Sequence, residues 1–131
     1  MPTTAIRYLG AAGIGVSDLK RSLDFYTRVL GMKVSYELKL PYMNEIILEF
    51  EGRQGSAVVL MHYTDGSNPN YKNNPVKLVF YVDDPKAFAE GIRQEGLEIV
   101  REPEPVPELG NAIVGFAKDP DGYLLEILQA T

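Results

Sequence analysis

Val16-Ser17-Asp18-Leu19-Lys20 is the stretch that decides the fold, because it returns 66 positions later (16 to 82) as Val82-Asp83-Asp84-Pro85-Lys86. A second stretch is also repeated, since Gly31-Met32-Lys33-Val34 has its counterpart in Gly96-Leu97-Glu98-Ile99. Each copy is typical of a strand, an aspartate-capped helix, a glycine stop and another strand. The sequence therefore predicts two copies of one module, related by a pseudo-twofold axis, with a pocket on that axis.

Length, composition and charge exclude several classes of protein. The 131-residue length suits one domain with a sizeable core, and 45% of the residues are hydrophobic. The net charge is −5 and no basic cluster exceeds two residues, so neither nucleic acid nor a membrane is a predicted partner. There is no membrane-spanning apolar run, no cysteine and no signal-like N-terminus, and we expect a cytoplasmic protein.

The two modules have the same predicted order of elements, βαβββ. The first helix is expected to begin after Asp18 and to end at Gly31, and the second to begin after Asp84 and to end at Gly96. Three prolines within residues 102–107 predict a surface loop there. We predict one domain over residues 1–131, with module 1 at about 6–63, a polar linker at 64–75 and module 2 at about 76–128.

One helix per module can cover only one face of its sheet. The other face must then be buried by the partner module or line a cavity. The predicted class is α+β, with two βαβββ modules in tandem forming facing curved sheets around a central cavity.

Two longer stretches resemble a known superfamily. Asp24-Phe25-Tyr26-Thr27-Arg28-Val29-Leu30-Gly31-Met32-Lys33 resembles the first-helix signature of glyoxalase I. Phe116-Ala117-Lys118-Asp119-Pro120-Asp121-Gly122-Tyr123-Leu124-Leu125-Glu126-Ile127 resembles its C-terminal hairpin. Both are typical of the vicinal oxygen chelate superfamily, which also contains extradiol dioxygenases, fosfomycin-resistance enzymes and bleomycin-resistance proteins. The resemblance covers nearly the whole chain and implies the glyoxalase-like fold, usually in a homodimer.

The resemblance also implies where a metal would bind. The metal enzymes of the superfamily take one ligand from the first strand and one from the last strand of each module. These positions are Ala11 and Leu60, then Lys77 and Glu126. Only Glu126 can bind a metal, because alanine and leucine offer no lone pair and a protonated lysine repels cations. We therefore predict no metal and no other cofactor; if a metal is present, His62 and Glu126 are its predicted ligands.

Lys77 and Glu126 are the first candidates for chemistry. The lysine ammonium would replace the charge of the metal and polarise a carbonyl or enolate oxygen, while Glu126 acts as acid or base. A structural ion pair that remains after loss of the metal explains the same two residues.

Further candidates lie on the strands around this pair. His62, the only histidine, is either a general base on the cavity face or a polar residue at a strand end. Tyr81 and Val79 alternate with Lys77 and so share its face, where they would suit an apolar or aromatic ligand together with Ala11 and Leu60. Glu45 and Glu49 share one strand face, which is either a second source of carboxylates or a solvated surface.

Two functions of different classes remain open from the sequence. The first is a metal-independent lyase or isomerase that acts on a small carbonyl or aromatic compound through Lys77, Glu126 and His62. The second is a binding protein that sequesters a small, largely apolar compound, as the bleomycin-resistance branch does.

Overall fold

The structure is a computed structural model that describes residues 5–131. The chain divides between Pro69 and Asn70 into two compact units, and each unit contains one four-stranded mixed sheet. None of the helices in the described range is long and apolar enough to cross a bilayer.

The first unit has the predicted order of elements. Its sheet has the strand order β1-β4-β3-β2, with β1 parallel to β4 and the other neighbours antiparallel. Module 1 was expected to begin near residue 6, but its first strand begins only at Ala11. The strands are β1 (Ala11–Gly15), β2 (Lys33–Lys39), β3 (Met43–Glu49) and β4 (Ala57–Tyr63).

The helix of the first unit begins where the sequence predicts. The Asp18 carboxylate accepts a hydrogen bond from the Arg21 N–H at 3.0 Å, which satisfies one of the free donors at the start of α1 (Leu19–Asp24). The helix then widens into a π-helical turn at Phe25–Val29, with the Leu30 N–H bonded to the Phe25 carbonyl. Helix α1 packs on β4, and the core includes Ile14, Tyr26, Ile46, Leu48 and Leu60.

The second unit repeats this architecture. Its sheet has the order β5-β8-β7-β6, again with one parallel pair, β5 and β8. Helix α2 (Pro85–Arg93) begins with a hydrogen bond from the Ala87 N–H to the Asp84 carboxylate at 3.1 Å, as predicted. The strands are β5 (Lys77–Val82), β6 (Ile99–Val106), β7 (Ala112–Lys118) and β8 (Leu124–Gln129). The α+β class and the two βαβββ modules are therefore confirmed.

The predicted proline-rich loop is instead part of a strand. Pro103 and Pro105 both lie in β6, and the loop prediction is wrong. Strand β6 tolerates the prolines because it is the edge strand of its sheet and its pairing with β7 shifts twice. At an edge and at a bulge, a residue without an N–H interrupts no required ladder hydrogen bond.

Candidate functional site

Lys77 and Glu126 form an ion pair on the second sheet. Lys77 is the first residue of β5, and Glu126 lies on the adjacent parallel strand, in register with Val79. The Lys77 Nζ donates a hydrogen bond to the Glu126 Oε1 at 2.8 Å. The lysine side chain is 49% exposed and the glutamate side chain only 13%. The pair therefore presents an accessible cation beside a largely enclosed carboxylate.

This pair lies on the sheet face opposite α2. Leu125 and Ile127 alternate with Glu126 along β8 and are fully buried. Helix α2 packs against β6, β7 and β8, and it contributes the buried Ala89 and Ile92. Because side chains alternate between the faces of a strand, Glu126 points to the face that α2 leaves uncovered.

The surroundings of the ion pair on this face are mostly apolar. Val79 and Tyr81 are 43% and 71% exposed, and Phe116 lies directly opposite Glu126 on β7. We call this surface the open face of the second sheet; the register places on it Lys77, Val79, Tyr81, Arg101, Glu104, Val114, Phe116, Lys118, Leu124, Glu126 and Leu128. A charged pair surrounded by apolar and aromatic side chains can hold a small molecule that has one polar group on an apolar skeleton.

A rigid turn positions β8 and hence Glu126. The Asp119 side chain is buried, and its Oδ1 accepts hydrogen bonds of 2.9 Å from the Asp121 and Tyr123 N–H groups. Gly122, at φ +90°, occupies the left-handed region that such a turn requires. The C-terminal hairpin that the resemblance implies over residues 116–127 therefore turns at Asp119-Pro120-Asp121-Gly122, immediately before the strand that carries the carboxylate.

Ala11 and Leu60 do not share a face in the first sheet. In the parallel pair β1/β4, Ala11 is in register with Ala57, whereas Leu60 is in register with Ile14. Leu60 is fully buried, on the face that α1 covers. The expected alignment is therefore displaced by one residue on β4. Val59 is half-buried and lies two residues after Ala57, the register partner of Ala11. Glu126 likewise lies two residues after Leu124, the register partner of Lys77.

His62 lies on the same side of β4 as Leu60, as alternation predicts, but that side is the one that α1 covers. The His62 Nδ1 is 2.9 Å from the Val16 carbonyl oxygen. With Nδ1 as the donor, the histidine ties the end of β4 to the residue that follows β1. The structure thus brings Lys77, Glu126, Val79 and Tyr81 together on one face, but it does not bring His62 to Ala11's side of its own sheet.

Two features of the site were absent from the sequence interpretation. Phe116 and Leu128 share the face of the ion pair, and the period-two pattern of the closing hairpin could have predicted this. The Met61 side chain lies over Gly13, so a β-carbon at Gly13 would be 3.0 Å from the Met61 sulfur. Only the register of β1 against β4 reveals that contact, because it depends on the pairing of distant segments.

The residues of this chain do not fit the metal that the superfamily implies. With Val59 at the corrected position, the four side chains are those of alanine, valine, lysine and glutamate. A single carboxylate that already accepts a hydrogen bond from an ammonium group is a poor metal site. Within residues 5–131 no group of three or more His, Cys, Asp or Glu side chains could hold a metal ion. We therefore derive no catalytic step through a metal.

Comparison with known proteins agrees with the duplicated fold. Residues 8–127 match the family model of the Glyoxalase/Bleomycin resistance protein/Dioxygenase superfamily. The chain is 36% identical to the lactoylglutathione lyase of Salmonella typhimurium over 119 residues, which are 88% of this chain and 87% of that protein. The solved structure of trypanothione-dependent glyoxalase I from Leishmania major superposes with a TM-score of 0.78 at 26% identity, covering 95% of this chain and 87% of that one.

The fold and the match together define a protein of the glyoxalase-like class. The chain belongs to the Glyoxalase/Bleomycin resistance protein/Dioxygenase superfamily. It is also 34% identical to a lactoylglutathione lyase of Arabidopsis thaliana over 118 residues, 87% of this chain, but it spans only 41% of that longer protein.

Proposed function

We propose that this protein is a metal-independent lyase or isomerase that acts on a small carbonyl or aromatic compound. The observation that carries the proposal is the 2.8 Å contact between the Lys77 Nζ and the Glu126 Oε1, which lies among the apolar side chains of Val79, Phe116 and Leu124. Relatives named lactoylglutathione lyase at 31–36% identity support lyase chemistry as the class. The side chains at the implied metal positions support the absence of a metal.

In the proposed mechanism the two side chains divide the work of a proton transfer. The Lys77 ammonium binds the carbonyl oxygen of the substrate and stabilises the negative charge that develops on it. The Glu126 carboxylate takes a proton from the carbon next to that carbonyl, and the electrons of the C–H bond form an enolate. On a substrate that carries a hydroxyl on that carbon, a proton passes from this hydroxyl to the former carbonyl oxygen. Glu126 then returns a proton to the neighbouring carbon, which gives the isomer with its carbonyl and hydroxyl groups exchanged. Val79 and Tyr81 bind the apolar part of the substrate.

The test uses chelator-treated protein and lactoylglutathione, the compound in the names of the relatives. Loss of its thioester absorbance reports turnover, and deuterium uptake from D2O, followed by NMR, reports proton transfer. We expect Lys77→Met and Glu126→Gln each to lower both rates by about a hundredfold or more, the lower end of general acid–base effects. Lys118→Met is the control, because Lys118 lies on the same face, on the far side of Leu124 from Lys77.

Two results would contradict this proposal. One is turnover that returns only when Zn²⁺, Ni²⁺ or Mn²⁺ is added back. The other is turnover that survives unchanged in both the Lys77→Met and the Glu126→Gln variants.

A second candidate function is sequestration of a small apolar compound. One observation favours it: the ion pair leaves each charge with a partner in the absence of any ligand, while Val79 and Tyr81 stay exposed. The double variant Lys77→Met with Glu126→Leu separates the two functions. A binding protein keeps its affinity for 2-naphthol in this variant, measured by the fluorescence of that probe, whereas an enzyme loses turnover.

We also propose that the protein is a cytoplasmic homodimer in which residues 1–131 unfold as one cooperative domain. Sheet edges left open in one chain support pairing. Light scattering at micromolar concentration that gives the mass of a single chain would count against the dimer, and two separate calorimetric transitions would count against the single domain.

A further inference from the structure

Glu45 is a carboxylate in an apolar part of the first sheet. It lies on β3, it is half-buried, and none of residues 5–131 forms a hydrogen bond or an ion pair with its carboxylate. A charge that is partly removed from water and unpaired is unfavourable, and a cation placed beside it would relieve that cost.

The immediate neighbours of Glu45 on its own face are all apolar. Across the sheet, Glu45 is directly opposite Met61 on β4 and Leu38 on β2. Along its own strand, Met43 and Ile47 point to the same side. Side chains opposite one another in antiparallel strands have their β-carbons about 4.5–5.5 Å apart, so Met61 and Leu38 flank Glu45 from the two neighbouring strands.

Glu49 provides a contrast within the same strand. It lies on the same face as Glu45, but the residue opposite it on β2 is Lys33 rather than a leucine. A positive side chain therefore stands next to Glu49, and none stands in the corresponding place next to Glu45. The residues opposite Glu45 carry no charge, so a bound cation would be the group that neutralises its carboxylate.

We infer that this face binds a protonated organic amine on an apolar or aromatic skeleton. The ammonium group donates to the Glu45 carboxylate, and the skeleton packs on Met61, Leu38 and Ile47. Methionine suits this role because its flexible thioether adapts to ligands of different shape, and Met61 already folds over Gly13. This inference is independent of the proposed function, since it uses neither Lys77 nor Glu126.

The experiment compares phenethylamine with the neutral 2-phenylethanol, which has a similar shape. The protein contains four methionines, so labelling their methyl groups with ¹³C gives a simple NMR spectrum. We expect phenethylamine to shift the Met61 methyl signal and to leave the signal of the buried Met32 unchanged. We expect the amine to bind about tenfold or more tightly than the alcohol, which is the effect of one charge-assisted hydrogen bond.

Matched variants decide whether Glu45 is responsible. Glu45→Gln keeps the shape and removes the charge, so it should abolish the preference for the amine, whereas Glu49→Gln should retain it. Equal binding of the alcohol, an unmoved Met61 signal, or an unchanged preference in Glu45→Gln would each overturn the inference. None of these results bears on turnover by Lys77 and Glu126, so failure here leaves the proposed function standing.

Discussion

Gly115 lies directly against Pro103 of the neighbouring strand: a β-carbon on Gly115 would be 2.8 Å from the Pro103 Cγ and 3.0 Å from its backbone nitrogen. The contact arises because the pairing of β6 with β7 shifts between Arg101 and Glu104, so that two residues of β6 oppose this single glycine. The glycine is therefore what allows a proline-containing strand to pair with β7.

We expect Gly115→Ala to destabilise the protein by about 1–3 kcal/mol, because the added methyl group overlaps backbone atoms that cannot move freely. Gly91→Ala is the control: Gly91 lies within α2, and a β-carbon added there would have no neighbouring atom within 4 Å. That substitution should stabilise the protein by about 0.5–1 kcal/mol. Urea unfolding measures both, and equal effects of the two substitutions would refute this account of Pro103.

The register of β4 gives a second prediction. Leu60→Glu places a charge in the core and should destabilise by about 3–5 kcal/mol or prevent folding. Val59→Glu, one residue earlier, places the same charge on the opposite face and should change the free energy of unfolding by about 1 kcal/mol or less. Urea denaturation followed by circular dichroism distinguishes them. A reversed order would restore the expected alignment of Leu60 with Ala11.

The success and failure of the sequence interpretation have physical causes. The ends of the helices depend only on nearby residues, so local chemistry predicts them. The starts are at Asp18 and Asp84, and the glycine stops are at Gly31 and Gly96. The proximity of Lys77 and Glu126 was implied by the resemblance, which places both residues at metal-ligand positions of the superfamily.

The errors concern pairing between distant segments. Which face Leu60 occupies depends on the register of β4 against β1, and a slip of one residue reverses every side chain of a strand. The proline-rich strand β6 was missed for a similar reason, since its position at the sheet edge is a property of the whole sheet. The sequence singles out Glu45, but the apolar neighbours of Glu45 come from the two strands that flank it.

The third prediction concerns Asp24 and pH. The Arg28 side chain donates hydrogen bonds to the Asp24 carboxylate, one of them at 2.9 Å, and these lower the pKa of Asp24. Stability from this contact is therefore present above the ordinary aspartate pKa of about 3.9 and is lost as the pH falls through the lowered value. In Arg28→Met the pKa of Asp24 should rise towards its ordinary value, as measured by NMR titration of the carboxyl carbon.

Asp65 serves as the internal control for that titration. Hydrogen bonds from Ser67 lower the pKa of Asp65, and Arg28 has no part in them. Its titration should therefore be the same in Arg28→Met. A common shift of both aspartates would indicate a general change in the protein rather than loss of the Arg28 contact.

The fourth prediction separates the two charges of the open face of the second sheet. Lys77→Met leaves a largely enclosed carboxylate without its donor and should destabilise by about 1 kcal/mol, a modest value because the lysine is half exposed. Adding Glu126→Leu should recover much of that stability, since apolar packing often replaces an ion pair. Thermal unfolding of both variants tests this. A double variant less stable than Lys77→Met would mean that the pair itself stabilises the fold.

The fifth prediction is the absence of a bound transition metal. Elemental analysis of the purified protein should find no stoichiometric Zn, Ni, Fe or Mn, and a chelator should leave the melting temperature unchanged, because the side chains at the implied positions supply a single carboxylate. One metal per chain would contradict it.

Ala11 and Val59 lie on neighbouring parallel strands of the first unit, offset by two residues in register. Lys77 and Glu126 have the same offset in the second unit. The duplication thus supplied two equivalent places for a charged pair, and this protein has filled only one. As a consequence, Ala11 and Val59 can be substituted without removing either side chain of the ion pair in the other repeat. New ligand preferences could be selected in the laboratory by randomising these two uncharged positions, with the contact between Lys77 and Glu126 retained throughout.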